Sequence, residues 1–334
     1  MKKHYNIPIF IPEAACPHQC VFCNQKKITG QTTQPSMADV ERTIEKYLNT
    51  IPKNATVEIA FFGGNFTGLP TTQQKQYLQI AQKYIEDQSI TSIRCSTRPD
   101  YINQEIVELL RRYRVETVEL GAQSFDAEVL QKSGRGHLVE DIYRAVEILR
   151  ENGLTVGLQM MTGLPGDTPE KSRKTAAEIV RLQADNTRIY PCLVITDSAL
   201  EQLFSEGKYR PQTLEEAVAL SAELTLYFEE NGVKILRTGL HRSEGFDSGK
   251  TLIAGPYHPS FKELVETELW KNAFEKEINF GYRGNIAIIL PEGAAGLAAG
   301  HKKTNRIWLE KHFSSVRFSE DKTLTRRGFY VNYC

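Results

Sequence analysis

The chain has 334 residues, 40% of them hydrophobic and 25% charged, which is the composition of an ordinary globular protein with room for one large and one smaller domain. Basic and acidic residues number 41 each, so the zero formal net charge provides no overall attraction for nucleic acid. The N-terminus has no long apolar stretch and no segment approaches the roughly 18 apolar residues of a membrane span, so we expect no membrane association.

A strand followed by a helix recurs through the first 195 residues. The predicted strands span residues 7–12, 56–62, 92–96, 117–121, 154–161 and 188–195. The predicted helices follow the caps Ser36 and Thr168 or span residues 72–87, 105–113, 126–132 and 139–152. This alternation predicts a parallel sheet with right-handed crossovers.

The last third of the chain has a different pattern. It predicts helices at residues 213–231, 260–276 and 296–312, and strands at 233–237, 285–290, 316–318 and 328–331. These elements indicate a small α+β module.

Three cysteines, Cys16, Cys20 and Cys23, follow the first predicted strand. Thiolates at this density favour a soft metal or an iron–sulfur cluster. A four-iron cluster has four metal corners, so three cysteines would leave one iron free to bind a molecule other than protein. The alternative is structural zinc, which needs a fourth ligand, and His18 within the loop would strain a tetrahedral site.

The other three cysteines are scattered. Cys95 and Cys192 lie in apolar or strand-like runs, and Cys334 is terminal. This distribution fits a reducing cytoplasm rather than a disulfide framework.

Unusual loops follow the next four predicted strands. They are Gly63-Gly64-Asn65, Ser96-Thr97-Arg98, Gly121-Ala122-Gln123-Ser124 and Gly163-Leu164-Pro165-Gly166. Because the C-terminal ends of strands form the active-site face of barrel-like α/β folds, we expect these loops and the cysteine loop to surround one site.

The cysteine spacing resembles that of the radical S-adenosylmethionine superfamily. The run FFGGNFTG at residues 61–68 is similar to the radical domain of the Elongator catalytic subunit family, and the resemblance covers residues 7 to about 240. It continues in the segments 96–102, 119–124, 135–137, 161–166, 189–195 and 203–210. The chain differs from the superfamily pattern in having Asn65 in place of Glu, and from the Elongator family in a short cysteine loop without the long insertion and in having no acetyltransferase domain.

This resemblance implies a partial (β/α)6 TIM-like barrel at residues 1–240 and an accessory module at 241–334. It also implies a [4Fe-4S] cluster on the three cysteines, and an electron from the cluster that cleaves S-adenosylmethionine to a 5′-deoxyadenosyl radical. A reductant such as flavodoxin or ferredoxin and a tRNA substrate are the partners that it suggests.

The chemistry of S-adenosylmethionine suggests which residues bind it. A guanidinium pairs well with its carboxylate, amides and hydroxyls suit the ribose, and apolar residues suit the adenine. The candidates are Arg98, Ser96 and Arg135 for the carboxylate, Gln123 and Ser124 for the ribose, and Phe22, Leu164 and Pro165 for the adenine. The resemblance to the superfamily further implies that the backbone of Gly63, Gly64 and Asn65 holds the amino group.

Substrate contacts are expected from several further residues. Glu119 lies inside a predicted strand, where a buried carboxylate needs a partner. The remaining candidates are His137, Arg237, His241, Lys250 and the basic residues Lys302, Lys303 and Arg306. From residue 301 to the end there are eight Lys/Arg against three acids, which is a plausible phosphate footprint but also common on a solvated face.

The sequence therefore predicts a radical enzyme that modifies a tRNA base. One alternative keeps the radical chemistry and makes the substrate a small metabolite or cofactor precursor, as in the coproporphyrinogen-oxidase-like group. A second alternative is a zinc-stabilised RNA-binding protein without catalytic activity.

Overall fold

The computed structural model describes residues 3–12, 16, 20–24, 27, 33–242 and 244–334. The chain divides into two compact units. The first unit comprises Met1–Gln212 and Phe228–Tyr257, and the second comprises Thr213–Tyr227 and His258–Cys334. The domain boundary expected at residue 240 stays a prediction.

The first unit is built on parallel strands. Its strands are β1 (His4–Ile11), β2 (Thr56–Gly63), β3 (Ser92–Thr97), β4 (Val115–Gln123), β5 (Thr155–Thr162), β6 (Asn186–Pro191), β7 (Val194–Ile195), β8 (Lys234–Thr238) and β9 (Leu252–Ala254). Seven of them form one sheet in the order β1-β2-β3-β4-β5-β6-β8, and every pair in it is parallel. The sheet curls into a partial barrel, which confirms the predicted fold class.

Helices connect these strands. They are α1 (Met37–Leu48), α2 (Thr71–Glu86), α3 (Gln104–Arg112), α4 (Ala127–Lys132), α5 (Val139–Glu151), α6 (Pro169–Arg181), α7 (Ala199–Ser205), α8 (Leu214–Glu230) and α9 (Glu244–Asp247). The predicted caps are confirmed, because Ser36 makes a capping box with Asp39 and the Thr168 hydroxyl accepts a hydrogen bond from Lys171 N. Helix α8 contributes residues to both units.

Two strand predictions need correction. Residues 188–195 are not one strand, because β6 ends at Pro191 and β7 pairs with β9 in a separate antiparallel ladder. Proline has no N–H to donate, so it is suited to the end of a ladder. The strand predicted near residue 235 belongs to the main sheet as its seventh member rather than lying outside a six-stranded barrel.

The second unit has its own core. Its strands β10 (Asn285–Pro291), β11 (Ser315–Asp321) and β12 (Tyr330–Tyr333) form a mixed sheet in the order β11-β10-β12. Its further helices are α10 (Phe261–Glu277), α11 (Ala295–Ala299) and α12 (Thr304–Glu310). Buried aromatic and aliphatic side chains of this sheet and these helices pack in one cluster, which confirms the predicted α+β module.

The helix predicted over residues 296–312 is wrong as a single element. The chain leaves the helical conformation at Gly300 (φ 83°), and Lys302 and Lys303 have left-handed backbones with φ of 51° and 63°. The Thr267 hydroxyl accepts a hydrogen bond from His301 N at 2.7 Å and helps to fix this break. In the part of the chain that the structure covers, no helix is both long and apolar enough to cross a bilayer.

Leu110 tests the packing of the barrel helices. Its side chain is fully buried on α3, which packs against β4. We expect Leu110→Ala to lower the free energy of unfolding by about 2–5 kcal/mol, because it removes buried methyl groups and leaves a cavity. Urea unfolding followed by circular dichroism measures this loss. Arg111→Ala, an exposed change on the same helix, should have little effect, and an equal effect of the two changes would contradict the packing.

Candidate active site

A cavity of about 690 Å³ lies within the first unit, inside the curl of the sheet and at its strand ends. This volume suits a small-molecule ligand, since such pockets span roughly 300–1,000 Å³. We call it the barrel cavity. The predicted site residues that line it are Cys16, Cys20, Phe22, Cys23, Gly63, Gly64, Ser96, Arg98, Glu119, Gln123, Arg135, Arg237 and His241. The predicted residues outside its lining are Asn65, Ser124, His137, Leu164, Pro165, Lys250, Lys302, Lys303 and Arg306.

The three clustered cysteines reach the barrel cavity together. Cys20 is buried, Cys16 and Cys23 are half-buried, and none of the three forms a disulfide with another described residue. Backbone hydrogen bonds from Cys23 N to Cys20 O (2.9 Å) and from Val21 N to Ser133 O (3.0 Å) fix the loop. His18, considered as a zinc ligand, lies outside the described residues.

The donor set of this loop suits a cluster better than a single ion. Among residues with described positions, no three His, Cys, Asp or Glu side chains converge as ligands of one metal ion. The cysteines of a four-iron cluster bind different irons, so their sulfurs need not converge on one point. Three thiols at one end of a cavity with room for a ligand therefore fit a [4Fe-4S] cluster.

The two other buried cysteines have a different environment. Burial raises the pKa of both Cys95 and Cys192 to about 12, and the Glu119 carboxylate adds to the shift at Cys95. Both thiols stay protonated at neutral pH. This agrees with the expectation that they are structural rather than reactive.

Arg98 lies at the cavity wall almost entirely shielded from solvent. Its Nε and Nη2 donate to the two carboxylate oxygens of Asp100 at 3.0 and 2.8 Å. Its Nη1 is buried and has no hydrogen-bond partner among the described residues. A buried guanidinium N–H without an acceptor is costly, so this atom is available to an anionic group of a ligand.

Arg135 extends from the segment after α4 to the cysteine loop. Its Nη1 lies 3.2 Å from Cys20 Sγ, and its Nη2 donates to Gly121 O at 2.6 Å. The side chain is buried and its Nε has no partner within the described part of the chain. Together with Arg98, it makes this end of the barrel cavity electropositive beside the thiols.

The glycines at the end of β2 are required by a close backbone approach. Gly63 has φ 115°, and a Cβ there would lie 2.2 Å from the carbonyl oxygen of Ile11. Gly64 N donates to the same oxygen at 3.0 Å. Asn65 is buried, and its Oδ1 accepts from the Thr97 hydroxyl and from Arg98 N, so its side chain ties this loop to the next one.

The remaining predicted ligand residues divide between the cavity and the adjoining core. Gln123 (φ 65°) lines the cavity and accepts a hydrogen bond from Gln159 Nε2 at 3.2 Å. The Ser124 hydroxyl instead accepts from Asp126 N and lies 3.4 Å from the Thr175 hydroxyl on α6. Leu164 is buried in an apolar cluster against which Phe22 packs.

Glu119 has the partners that a buried carboxylate needs. Its carboxylate accepts hydrogen bonds from Arg94 Nη1 at 2.8 Å and from Nε and Nη2 of Arg188. Arg94 also pairs with Glu58 at 2.8 Å. Burial alone would raise the pKa of Glu58, but Arg94 and the Ser92 hydroxyl lower it below the usual value.

The sequence analysis did not identify Arg94 and Arg188 as site residues. Both line the barrel cavity, together with Tyr190, whose hydroxyl lies 3.4 Å from Arg188 Nη1. A signal for them existed in the sequence. Each is a charged residue inside an apolar strand, which is the argument that singled out Glu119.

The other substrate-side candidates are spread over the chain. His241 lines the barrel cavity with its ring 6.1 Å from that of Phe10. Lys250 is exposed in the first unit. Lys302, Lys303 and Arg306 belong to the second unit, and Arg306 pairs with Glu310 at 2.8 Å.

Comparison with known proteins agrees with this geometry. The sequence matches the Radical SAM superfamily over residues 11–179, just over half of the chain, and the Radical_SAM C-terminal domain over residues 184–271. It is 27% identical to the tRNA uridine(34) acetyltransferase of Methanocaldococcus infernus over 252 residues, which cover 64% of this chain and 47% of that protein. It is 24% identical to the heme chaperone HemW of Bacillus subtilis over 257 residues, with 75% and 66% covered.

The fold also has a counterpart among solved structures. The structure of the archaeal Methanocaldococcus infernus Elp3 with an N-terminal deletion superposes with a TM-score of 0.67 at 23% identity, covering 82% of this chain and 64% of the other. The chain spans about half the length of the acetyltransferases it matches.

His137 predicts how stability depends on pH. It is buried, and neither ring nitrogen has a partner among the described residues. Burial, with the charges of Arg135 and Arg98, lowers its pKa to about 4 from 6.5, although Asp100 and Asp141 oppose the shift. The unfolded chain therefore takes up a proton below about pH 6.5 that the folded chain takes up only near pH 4.

Folding stability should accordingly fall as the pH drops through this window. We expect His137 to lower the free energy of unfolding by about 2 kcal/mol at about pH 5 relative to about pH 7. His137→Phe should remove this contribution to the pH dependence. Urea unfolding at the two pH values measures it. His312→Phe, at a half-buried histidine of the second unit, is the control and should keep the pH dependence of the wild type. The same pH dependence in His137→Phe as in the wild type would contradict the assignment.

Proposed function

Because the chain belongs to the Radical SAM superfamily, we propose that it directs the radical chemistry of that family at a base of tRNA. The family binds a [4Fe-4S] cluster and S-adenosylmethionine, and the protein is an enzyme of this kind. The tRNA substrate is the part that the proposal adds.

Cys16, Cys20 and Cys23 would hold a [4Fe-4S] cluster, which would supply the electron for the reductive cleavage of S-adenosylmethionine to a 5′-deoxyadenosyl radical. S-adenosylmethionine would bind beside these cysteines. The electron comes from an external reductant, such as a flavodoxin or ferredoxin.

Other lining residues bind and orient S-adenosylmethionine. Nη1 of Arg98 and Nε of Arg135 are both buried and have no acceptor among the described residues, so they favour a carboxylate beside them, with Ser96 as an additional donor. Gln123 contacts the ribose and Phe22 contacts the adenine, while the backbone of Gly63 and Gly64 binds the amino group.

The observation that carries the proposal is the meeting of three cysteine thiols and two buried guanidiniums in one cavity, where each guanidinium has an N–H group without an acceptor among the described residues. The tRNA substrate rests on the tRNA uridine(34) acetyltransferases among the relatives. Exposed cations of the second unit, Lys302 and Lys303, add support, because phosphate contacts dominate RNA affinity.

A rival function keeps the radical chemistry and takes a small metabolite or cofactor precursor as substrate. The similarity to the oxygen-independent coproporphyrinogen-III oxidase-like protein HemZ of Bacillus subtilis, 22% identical over 68% of this chain, supports it. The non-catalytic zinc protein is no longer an alternative, since the family is one of enzymes.

Cys20→Ala tests the cluster. We expect anaerobically reconstituted wild type to hold about four iron and four sulfide per chain and to release 5′-deoxyadenosine with dithionite, and the variant to lose this cleavage. Nucleoside mass spectrometry of total RNA incubated with each protein should show a new modified nucleoside only with the wild type. Cys334→Ala, an exposed cysteine, is the matched control and should retain activity. Retained cleavage in Cys20→Ala would contradict the ligand assignment.

The second unit provides a test of the RNA substrate. We expect the triple change of Lys302, Lys303 and Arg306 to Ala to weaken tRNA binding and to flatten its dependence on salt, because each lost phosphate contact lowers the slope of log affinity against log salt by roughly 0.7–0.9. Fluorescence anisotropy at several salt concentrations measures both effects.

A matched triple change distinguishes this site from general charge loss. Lys46, Lys53 and Lys75 are exposed on the first unit, and their replacement by Ala removes the same charge. It should leave the salt slope near that of the wild type. If wild-type protein shows no salt-dependent affinity for tRNA, the RNA proposal fails and the metabolite alternative takes its place.

A further inference from the structure

A bulge between β6 and β8 brings two arginines opposite each other. Thr187 pairs with Ile235, but the next pair is Arg188 with Arg237, so Leu236 is an extra residue in β8. In a regular ladder Leu236 would face Arg188, and Arg237 would pair with Ile189, which is fully buried. Bulges re-aim side chains in this way and are frequent beside active sites.

Both arginines belong to the wall of the barrel cavity. Directly opposed like charges on neighbouring strands repel and destabilise a sheet. The bulge therefore places two positively charged side chains opposite each other. An anion bound between the two guanidiniums would relieve their repulsion.

Arg188 is held in a fixed orientation. Glu119 accepts from its Nε and Nη2, and its guanidinium carbon lies 5.1 Å from the centre of the Phe62 ring. Within the part of the chain that the structure describes, the contact of the remaining nitrogen, Nη1, is the long one of 3.4 Å to the Tyr190 hydroxyl. Pre-orientation of this kind lowers the entropy lost when a ligand binds.

The two arginines differ in the described carboxylates that surround them. Glu58 and Glu119 together balance Arg94 and Arg188. Arg237 is exposed, and no described carboxylate lies within ion-pair distance of it. One neutralised and one free guanidinium on adjacent strands make a site for a single anionic group.

We propose that Arg188 and Arg237 bind a backbone phosphate of the RNA substrate and so position the target nucleotide in the barrel cavity. The two guanidiniums donate N–H groups to phosphate oxygens, and no covalent step is involved. This inference rests on the proposed RNA substrate. The phosphate contact that it describes lies in the barrel cavity, whereas Lys302, Lys303 and Arg306 belong to the second unit.

Arg237→Gln tests the subsite in the reconstituted, full-length enzyme. With unmodified tRNA as the probe in fluorescence anisotropy, we expect the dissociation constant to rise about tenfold and the salt slope to fall by about one. Arg237→Lys retains the charge and should recover most of the slope while binding less tightly than the wild type. Arg112→Gln makes the same chemical change at an exposed position on α3 and should bind as the wild type does.

The outcomes separate the subsite from the RNA substrate itself. If the wild type binds tRNA and Arg237→Gln matches Arg112→Gln in affinity and salt slope, the phosphate subsite is overturned while the RNA substrate stands. If the wild type has no salt-dependent tRNA affinity, the RNA substrate fails, and the phosphate subsite fails with it.

Discussion

The barrel interior depends on one buried carboxylate. Glu119 on β4 forms ion pairs with both Arg94 on β3 and Arg188 on β6. Arg94 forms a second ion pair with Glu58 on β2. A TIM-like barrel usually fills its interior with branched apolar side chains. Here ion pairs occupy part of that layer, and they can be buried only because each charge has a partner. The barrel cavity has charged groups in its wall because part of this interior layer is ionic rather than apolar.

The same network links structure to the site. Removing Glu119 would leave two buried guanidiniums without their shared anion, which is costly because each must then be solvated or neutralised elsewhere. It would also free Arg188 from its fixed orientation beside Phe62. The interaction that lets the sheet bury charge is therefore also the one that aims Arg188 into the cavity.

Local patterns in the sequence predicted much of this architecture, while long-range pairing limited the rest. Strand-and-helix alternation predicted the parallel sheet, and the spacing of Cys16, Cys20 and Cys23 predicted the thiol end of the cavity. Glu119 was correctly expected to need a partner, but Arg188 is 69 positions away, and no local pattern joins them. The kink after Gly300 was missed because apolar residues continue with helical spacing on both sides of it.

The bulge in β8 shows why the register of this strand could not be predicted from the sequence, although the strand itself was. A bulge changes which residues face each other without changing the composition of the strand, so the sequence of β8 reads as a regular strand. Strand β8 is also the last member of the sheet order, and an edge strand has only one neighbour to fix its register. Register is strongly specified where one face must be buried, and less so at a polar edge. Register also shifts inside the sheet, between β3 and β4 and between β4 and β5, so the edge position alone does not account for the bulge. What sets the bulge in β8 apart is its result, because it brings Arg237 opposite Arg188.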